Sequence, residues 1–186
     1  MNIIYLLFHG LSPYSGISKK ILHQVKGFEA CGHRVSLCTY SIADNGHRVR
    51  MINNEIIEDY GTGKPAAATR RVSYQCIYRY AVTHQVELIY VRSFHNANPF
   101  TIRLFSKLRK AGIKIAMEIP TYPYDSEYAG FPLVTRLGIQ VDKVFRKTLA
   151  KHVNAIVTFS DYHCIFGQRT IQISNGVDFD SIPLKK

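Results

Sequence analysis

Residues 3–8, Ile-Ile-Tyr-Leu-Leu-Phe, are apolar without a break. A continuous run of this length predicts a strand buried on both faces rather than one that lies half in water. After a loop, Ile17, Ile21, Leu22, Val25 and Phe28 recur at helical spacing, and Gly32 stops the helix. Residues 34–40 form the next predicted strand. The pattern then changes. Residues 46–60 read as a small hairpin turning at Asn53-Asn54, and residues 61–65 as a loop. A helical stretch over 66–86 carries Val72, Cys76, Ile77 and Tyr80 on one side, and 88–91 is again a strand.

The second half continues in the same manner. Asn98-Pro99 is a helix start, an N-cap followed by proline at the first helical position. Phe100, Leu104, Phe105 and Leu108 follow at helical spacing, and Gly112 ends the helix. A strand is expected over 113–119, an aromatic, proline-containing loop over 121–128, and a long basic helix over 133–151. In that helix Val141, Val144, Phe145 and Leu149 mark the expected core face. Strand 155–159, a short helix over 161–166 and a last strand over 170–173 complete the order.

This alternation predicts an α/β fold: a doubly wound, mostly parallel, Rossmann-like sheet with helices on both faces. In such sheets ligands sit beyond the carboxyl ends of the strands. The residues just past those ends are His9-Gly10, Tyr40, Arg92 with Ser93 and His95, Glu118 and Ser160.

The chain has 186 residues, 46% of them hydrophobic and 20% charged, which suits one domain or one lobe of a larger protein. No apolar run approaches the ~18 residues of a membrane helix. The run at 3–8 follows no basic segment and is too short for a signal peptide, so a cytoplasmic protein is expected. Cys31, Cys38, Cys76 and Cys164 lack the C-x-x-C spacing of a metal or redox site, and the eight histidines are scattered. Free thiols and no metal are the expectation.

Charge changes the picture more. Lys and Arg number 24 against 13 Asp and Glu, a net charge of +11. That excess favours an anionic partner, whether nucleic acid, acidic lipid or a phosphorylated substrate. A well-solvated basic surface explains it too. No nucleic-acid motif accompanies the charge, so nucleic acid is not the expected partner.

The loop His9-Gly10-Leu11-Ser12-Pro13-Tyr14-Ser15-Gly16 joins a buried strand to a helix N-terminus. Unsatisfied N–H groups and the helix dipole favour an anion there, and Gly16 would let a ligand approach the main chain. An ordinary turn capped by Ser15 or Ser18 accounts for the same residues. With glycines only at 10 and 16, the loop lacks the G-x-G-x-x-G of a dinucleotide site.

Four segments in order carry a resemblance. YSGISKKILHQVKGFEACGHRVSLCTY (14–40), LIYVRSFHN (88–96), AIVTFSDYHC (155–164) and ISNGVDFD (173–180) resemble the N-terminal, acceptor-side domain of family 4 glycosyltransferases with the GT-B fold. The resemblance implies a single lobe of such an enzyme. Residues 1–174 would be its Rossmann-like domain and 175–186 the start of the interdomain linker, with the C-terminal, donor-binding domain absent. It implies a retaining transferase that moves a sugar from a nucleotide-sugar donor to a glycan or lipid-linked acceptor, in cell-surface polysaccharide synthesis. The fragment alone would be inactive and would bind no cofactor.

Carried over residue by residue, Gly16 matches the loop glycine that approaches the donor, with Gly10 beside it. Arg92 and His95 lie where the family lines the acceptor side, and Ser160 on the cleft wall. Apart from the resemblance, Tyr124, with Tyr122 and Tyr128 in the aromatic loop, would pack on a sugar face or simply cover a sheet edge. Glu118 stands where many members carry a catalytic histidine. It is the candidate catalytic residue, though it would equally bond a sugar hydroxyl or hold the loop 120–128. The partners implied are the second domain, the acceptor and an acidic membrane surface at the inner face. The rival reading is a basic nucleotide-binding or anionic-surface-binding α/β module without catalysis.

Overall fold

A computed structural model describes residues 1–12, 14–92, 96–123 and 133–174, the first three of the last segment by backbone alone. Along the chain it runs β1 (Asn2–Leu6), α1 (Gly16–Ala30), β2 (Arg34–Ile42), β3 (Arg48–Ile52), β4 (Glu55–Asp59), α2 (Gly63–Thr69), α3 (Gln75–Thr83), β5 (Leu88–Arg92), α4 (Pro99–Lys110), β6 (Lys114–Ile119), α5 (Leu133–Ala150), β7 (Ala155–Thr158), β8 (Cys164–Ile165) and β9 (Gln168–Gln172). The strands form one sheet in the order β4-β3-β2-β1-β5-β6-β7-β9-β8. Strands β2-β1-β5-β6-β7-β9 are all parallel, while β3, β4 and β8 are antiparallel additions at the two edges. The fold is α/β and Rossmann-like. From β1 the chain moves one way to β2 and later the other way to β5, so the order reverses beside β1.

The unbroken apolar runs are explained by two cores, one on each face. Alternate residues of β1 serve both: Ile4 and Leu6 pack with Ile77, Leu104, Phe105 and Leu149 from α3, α4 and α5. Ile3, Tyr5 and Leu7 pack with Ile21 and Val25 of α1. Each fully buried Ile or Leu contributes about 1.5–3 kcal/mol relative to exposure. The caps expected from the sequence form. Ser15 accepts from the Ser18 N–H at the start of α1, and Asn98 with Thr101 forms a reciprocal capping box ahead of α4. Asn53 and Asn54 close the β3–β4 hairpin with φ of 49° and 71°, the left-handed pair such a turn requires.

Three expectations are corrected. The single helix over 66–86 is two, and its first part begins at Gly63, inside the expected loop. The Tyr74 hydroxyl donates to the Arg71 carbonyl at 2.6 Å and the Tyr60 hydroxyl to the Ser73 carbonyl at 3.3 Å, which draws these carbonyls out of a helical ladder. Buried Tyr74 meets the Phe8 ring edge-on at 5.6 Å. The short helix over 161–166 is instead the β8–β9 hairpin, turned by Phe166 and Gly167 with φ of 52° and 82°. On α5 the buried positions are Ile139, Asp142, Leu149 and Ala150, whereas Val141 and Val144 are 43% and 71% exposed. Buried Asp142 accepts from the Ala97 N–H at 2.9 Å, so a polar contact and not an apolar one sets this part of the helix face.

Candidate functional site

The carboxyl edge of the sheet holds the loop after β1, the ends of β2, β5, β6 and β7, and the N-termini of α1 and α4. Arg92 ends β5 and Glu118 lies next to it on β6 in direct register. Arg92 Nη1 donates to Glu118 Oε1 at 2.5 Å. The other carboxylate oxygen accepts from the Tyr90 hydroxyl at 2.7 Å and from Gln24 Nε2 of α1 at 2.8 Å. The Tyr5 hydroxyl donates to Gln24 Oε1 at 2.6 Å. One network therefore ties β1, β5, β6 and α1 together. Burial pushes the Tyr5 and Tyr90 phenols well above the ordinary tyrosine range, and the Glu118 charge adds to it.

Glu118 is fully buried and both its oxygens are engaged. Its side chain is buried and holds Arg92, Tyr90 and Gln24 at once, so the described contacts are those of a structural group. These contacts tie Glu118 to β5 and α1, and none of them reaches the loop 120–128 that the sequence reading had it hold. Arg92, also buried, is committed to Glu118. Beside them Lys20 stacks its ammonium 3.5 Å above the Phe159 ring. Its pKa is lowered, first by burial and also by Arg92, with the Glu118 charge opposing.

The other expected residues divide. Gly16 is the first residue of α1, exposed, with no atom within 4 Å of where a Cβ would stand. It leaves open space at a helix N-terminus. Gly10 is different: a Cβ there would lie 2.8 Å from the Tyr40 carbonyl oxygen. Its missing side chain lets the loop pack on β2, and a ligand is not needed to explain it. Ser160 Oγ accepts from the Tyr122 N–H at 2.9 Å, and the Ser160 N–H donates to Thr158 Oγ1 at 3.2 Å. It pins the start of the aromatic stretch to the end of β7, with the Tyr122 ring edge-on to Tyr162 and Phe166 at 5.0 and 5.6 Å. His95 and Tyr124 lie outside the described residues, as do Ser93, Tyr128 and the expected linker 175–186.

The sequence reading missed three arginines on the same edge. Arg50, in β3, is 1% exposed and donates from Nη1 to the Leu7 carbonyl at 2.8 Å. Arg48 donates to the Tyr40 hydroxyl at 2.7 Å, and Arg70, just past α2, lies 4.0 Å over the Tyr40 ring. A signal was present: strand alternation puts Arg48 and Arg50 on one face with Ile52, and Ile52 belongs to the core. Among the described residues no helix is long and apolar enough to cross a membrane. In comparisons with family profiles, with curated proteins and with solved structures, nothing matches the chain.

Proposed function

We propose that the chain is the acceptor-side lobe of a retaining glycosyltransferase of the GT-B type, moving a sugar from a nucleotide-sugar donor to a glycan or lipid-linked acceptor. The observation that carries this reading is the reversal of strand order beside β1, where the loop after β1 enters α1 with open space at Gly16. Crevices of this kind, outside the carboxyl ends of parallel strands at a switch point, receive ligands in doubly wound sheets. The four sequence segments that resemble family 4 transferases fall on β1-following loop, α1 and β2, on β5, on β7 and just after β9, in the family's order.

In this reading the N–H groups at the start of α1 face the donor's phosphate or transferred sugar. The Arg92–Glu118–Gln24–Tyr5 network is the rigid frame beneath that loop, and the donor half comes from a second domain. The test is sugar transfer by the protein together with such a domain, in wild type and Gly16→Val. The variant should melt normally and transfer poorly. Wild-type transfer by a normally folded Gly16→Val protein would remove the loop from the mechanism.

A second reading is favoured by α5. Leu137, Val141 and Val144, spaced four and three residues apart, are 64%, 43% and 71% exposed on a helix that also carries Arg136, Lys143 and Lys147. An apolar stripe among bases suits a module lying on an acidic membrane surface. Sedimentation with acidic and neutral vesicles tests it: salt-sensitive binding to acidic vesicles alone supports it, and equal or no binding to both counts against it.

A further inference from the structure

Arginine is always charged, and burying it without a partner costs several kcal/mol. Three arginines at the β1–β2–β3 corner are nonetheless buried in part or whole, and each keeps a buried Nε with no hydrogen-bond partner: Arg48, Arg50 and Arg70. They are close enough for Arg48, Arg50 and Arg71 each to lower the Arg70 pKa, after the larger effect of burial. Tyr74 senses Arg50, Arg70 and Arg71 together. Arg48 and Arg70 meet on the Tyr40 side chain, and Arg50 lies 6.0 Å from the Phe8 ring, which is itself edge-on to Tyr74.

Among the described residues no carboxylate forms an ion pair with these three arginines, and the carboxylates nearest in the chain turn elsewhere. Asp59 accepts from the Gly61 N–H and pairs with His47, Glu58 pairs with Arg79, and Asp44 and Glu55 are exposed. The partners the arginines have among the described residues are the Leu7 carbonyl, the Tyr40 hydroxyl and ring and, for Arg50, the Phe8 ring and the Tyr60 and Cys38 side chains, none of them a carboxylate. They orient the guanidinium groups without balancing their charge. Such a group of oriented, uncompensated forks matches a tetrahedral oxyanion, which takes bidentate hydrogen bonds from several arginines.

We propose that Arg48, Arg50 and Arg70 form a binding site for a phosphoryl group. Its position fits a role in the proposed reaction. Arg50 is bonded to the Leu7 carbonyl and Gly10 packs on Tyr40, so the site adjoins the loop that leads to Gly16. If the chain is the acceptor lobe of a transferase, the acceptor is phosphorylated; this naming of the acceptor rests on the transferase reading, whereas the anion site does not.

The experiment uses the chain itself. Titrate inorganic phosphate at constant ionic strength, with chloride as control, and follow binding by calorimetry and by melting temperature. Saturable one-to-one binding that raises the melting temperature is expected. Arg48→Gln and Arg70→Gln, at half-buried positions, should fold and weaken binding by about tenfold or more each, the worth of one hydrogen bond to a charged group. Lys151→Gln, an exposed lysine elsewhere, should bind like wild type. Arg50→Lys keeps the charge and loses the fork, and should also weaken binding. Glycerol phosphate and vesicles containing phosphatidic acid then separate the sources. Binding of glycerol phosphate assigns a soluble phosphate ester, and binding of the vesicles alone assigns a lipid headgroup. Absence of saturable phosphate binding in wild type, or binding unchanged in folded Arg48→Gln and Arg70→Gln, would overturn the proposal. Phosphate binding by a protein that transfers no sugar with its donor domain present would end the transferase reading and leave the anion site standing.

Discussion

Arg92 and Glu118 face each other across neighbouring parallel strands in direct register, joined at 2.5 Å with their side chains 8% and 0% exposed. Breaking a buried pair leaves an uncompensated charge and costs about 3–5 kcal/mol. Glu118→Ala should therefore lower the melting temperature by roughly 10 °C or more. Replacing both partners with apolar residues, as in Arg92→Met with Glu118→Leu, should recover much of that loss. Thermal melts of the two variants decide the matter. If Glu118→Ala melts with wild type, the pair is not a frame, and an active role for Glu118 is open again.

The four cysteines separate by environment. Cys38 is fully buried, and burial pushes its thiol up to about 12, while burial also raises Cys76. Cys31 and Cys164 are exposed. Thiolate is the reactive form, so a thiol reagent at neutral pH should modify two cysteines quickly and the other two only as the protein opens. Mass spectrometry of the native and denatured protein gives the count. Fast modification of Cys38 in the native state would contradict the packing of β2.

The Asp59 carboxylate accepts from the Gly61 N–H and from His47, and these bonds hold its pKa below the usual carboxylate value. A depressed folded pKa contributes stability that is present above the free-chain value of ~3.9 and is lost as pH falls through the lower folded value. The group is exposed, so the effect is small. Wild type should melt slightly above Asp59→Asn at pH 6, and the gap should close in acid, below about pH 4. A gap that widens in acid would mean the bonds favour the protonated form.

The strand and helix order was legible because each parallel strand is buried on two faces and so writes a nearly unbroken apolar run, as at Ile3–Leu7 and Leu88–Val91. What misled were places where a single polar contact overrides periodicity. Tyr74 breaks the helix after α2 by bonding Arg71, and Asp142 turns α5 toward Ala97. The Phe166-Gly167 turn was hidden because one of its two left-handed residues is a phenylalanine. The site was read one residue type at a time. Glu118, Arg92 and Ser160 looked like ligand-facing polar groups because they end strands, but their partners come from elements distant in sequence, Gln24 and Tyr122 among them. Arg48, Arg50 and Arg70 entered only through the total charge, since nothing local says that no carboxylate among the described residues pairs with them.

The two glycines of the first loop provide the sharpest contrast between packing and ligand access. At Gly10 a Cβ would stand 2.8 Å from the Tyr40 carbonyl oxygen, a backbone atom fixed in β2. Gly10→Ala must push the loop or the strand aside, and overpacking of this kind costs about 1–3 kcal/mol. At Gly16 the backbone has an ordinary φ and a Cβ meets nothing within 4 Å. Gly16→Ala should be neutral or stabilise by up to about 1 kcal/mol, because alanine loses less chain entropy on folding into a helix. Chemical denaturation of the two alanine variants should therefore move in opposite directions or, at the least, move only for Gly10. The space above Gly16 is then free for a ligand in a way the space above Gly10 is not. A loss of stability at Gly16→Ala as large as that at Gly10→Ala would show that something in the folded chain already fills that space, and the α1 N-terminus would no longer be open to a donor phosphate.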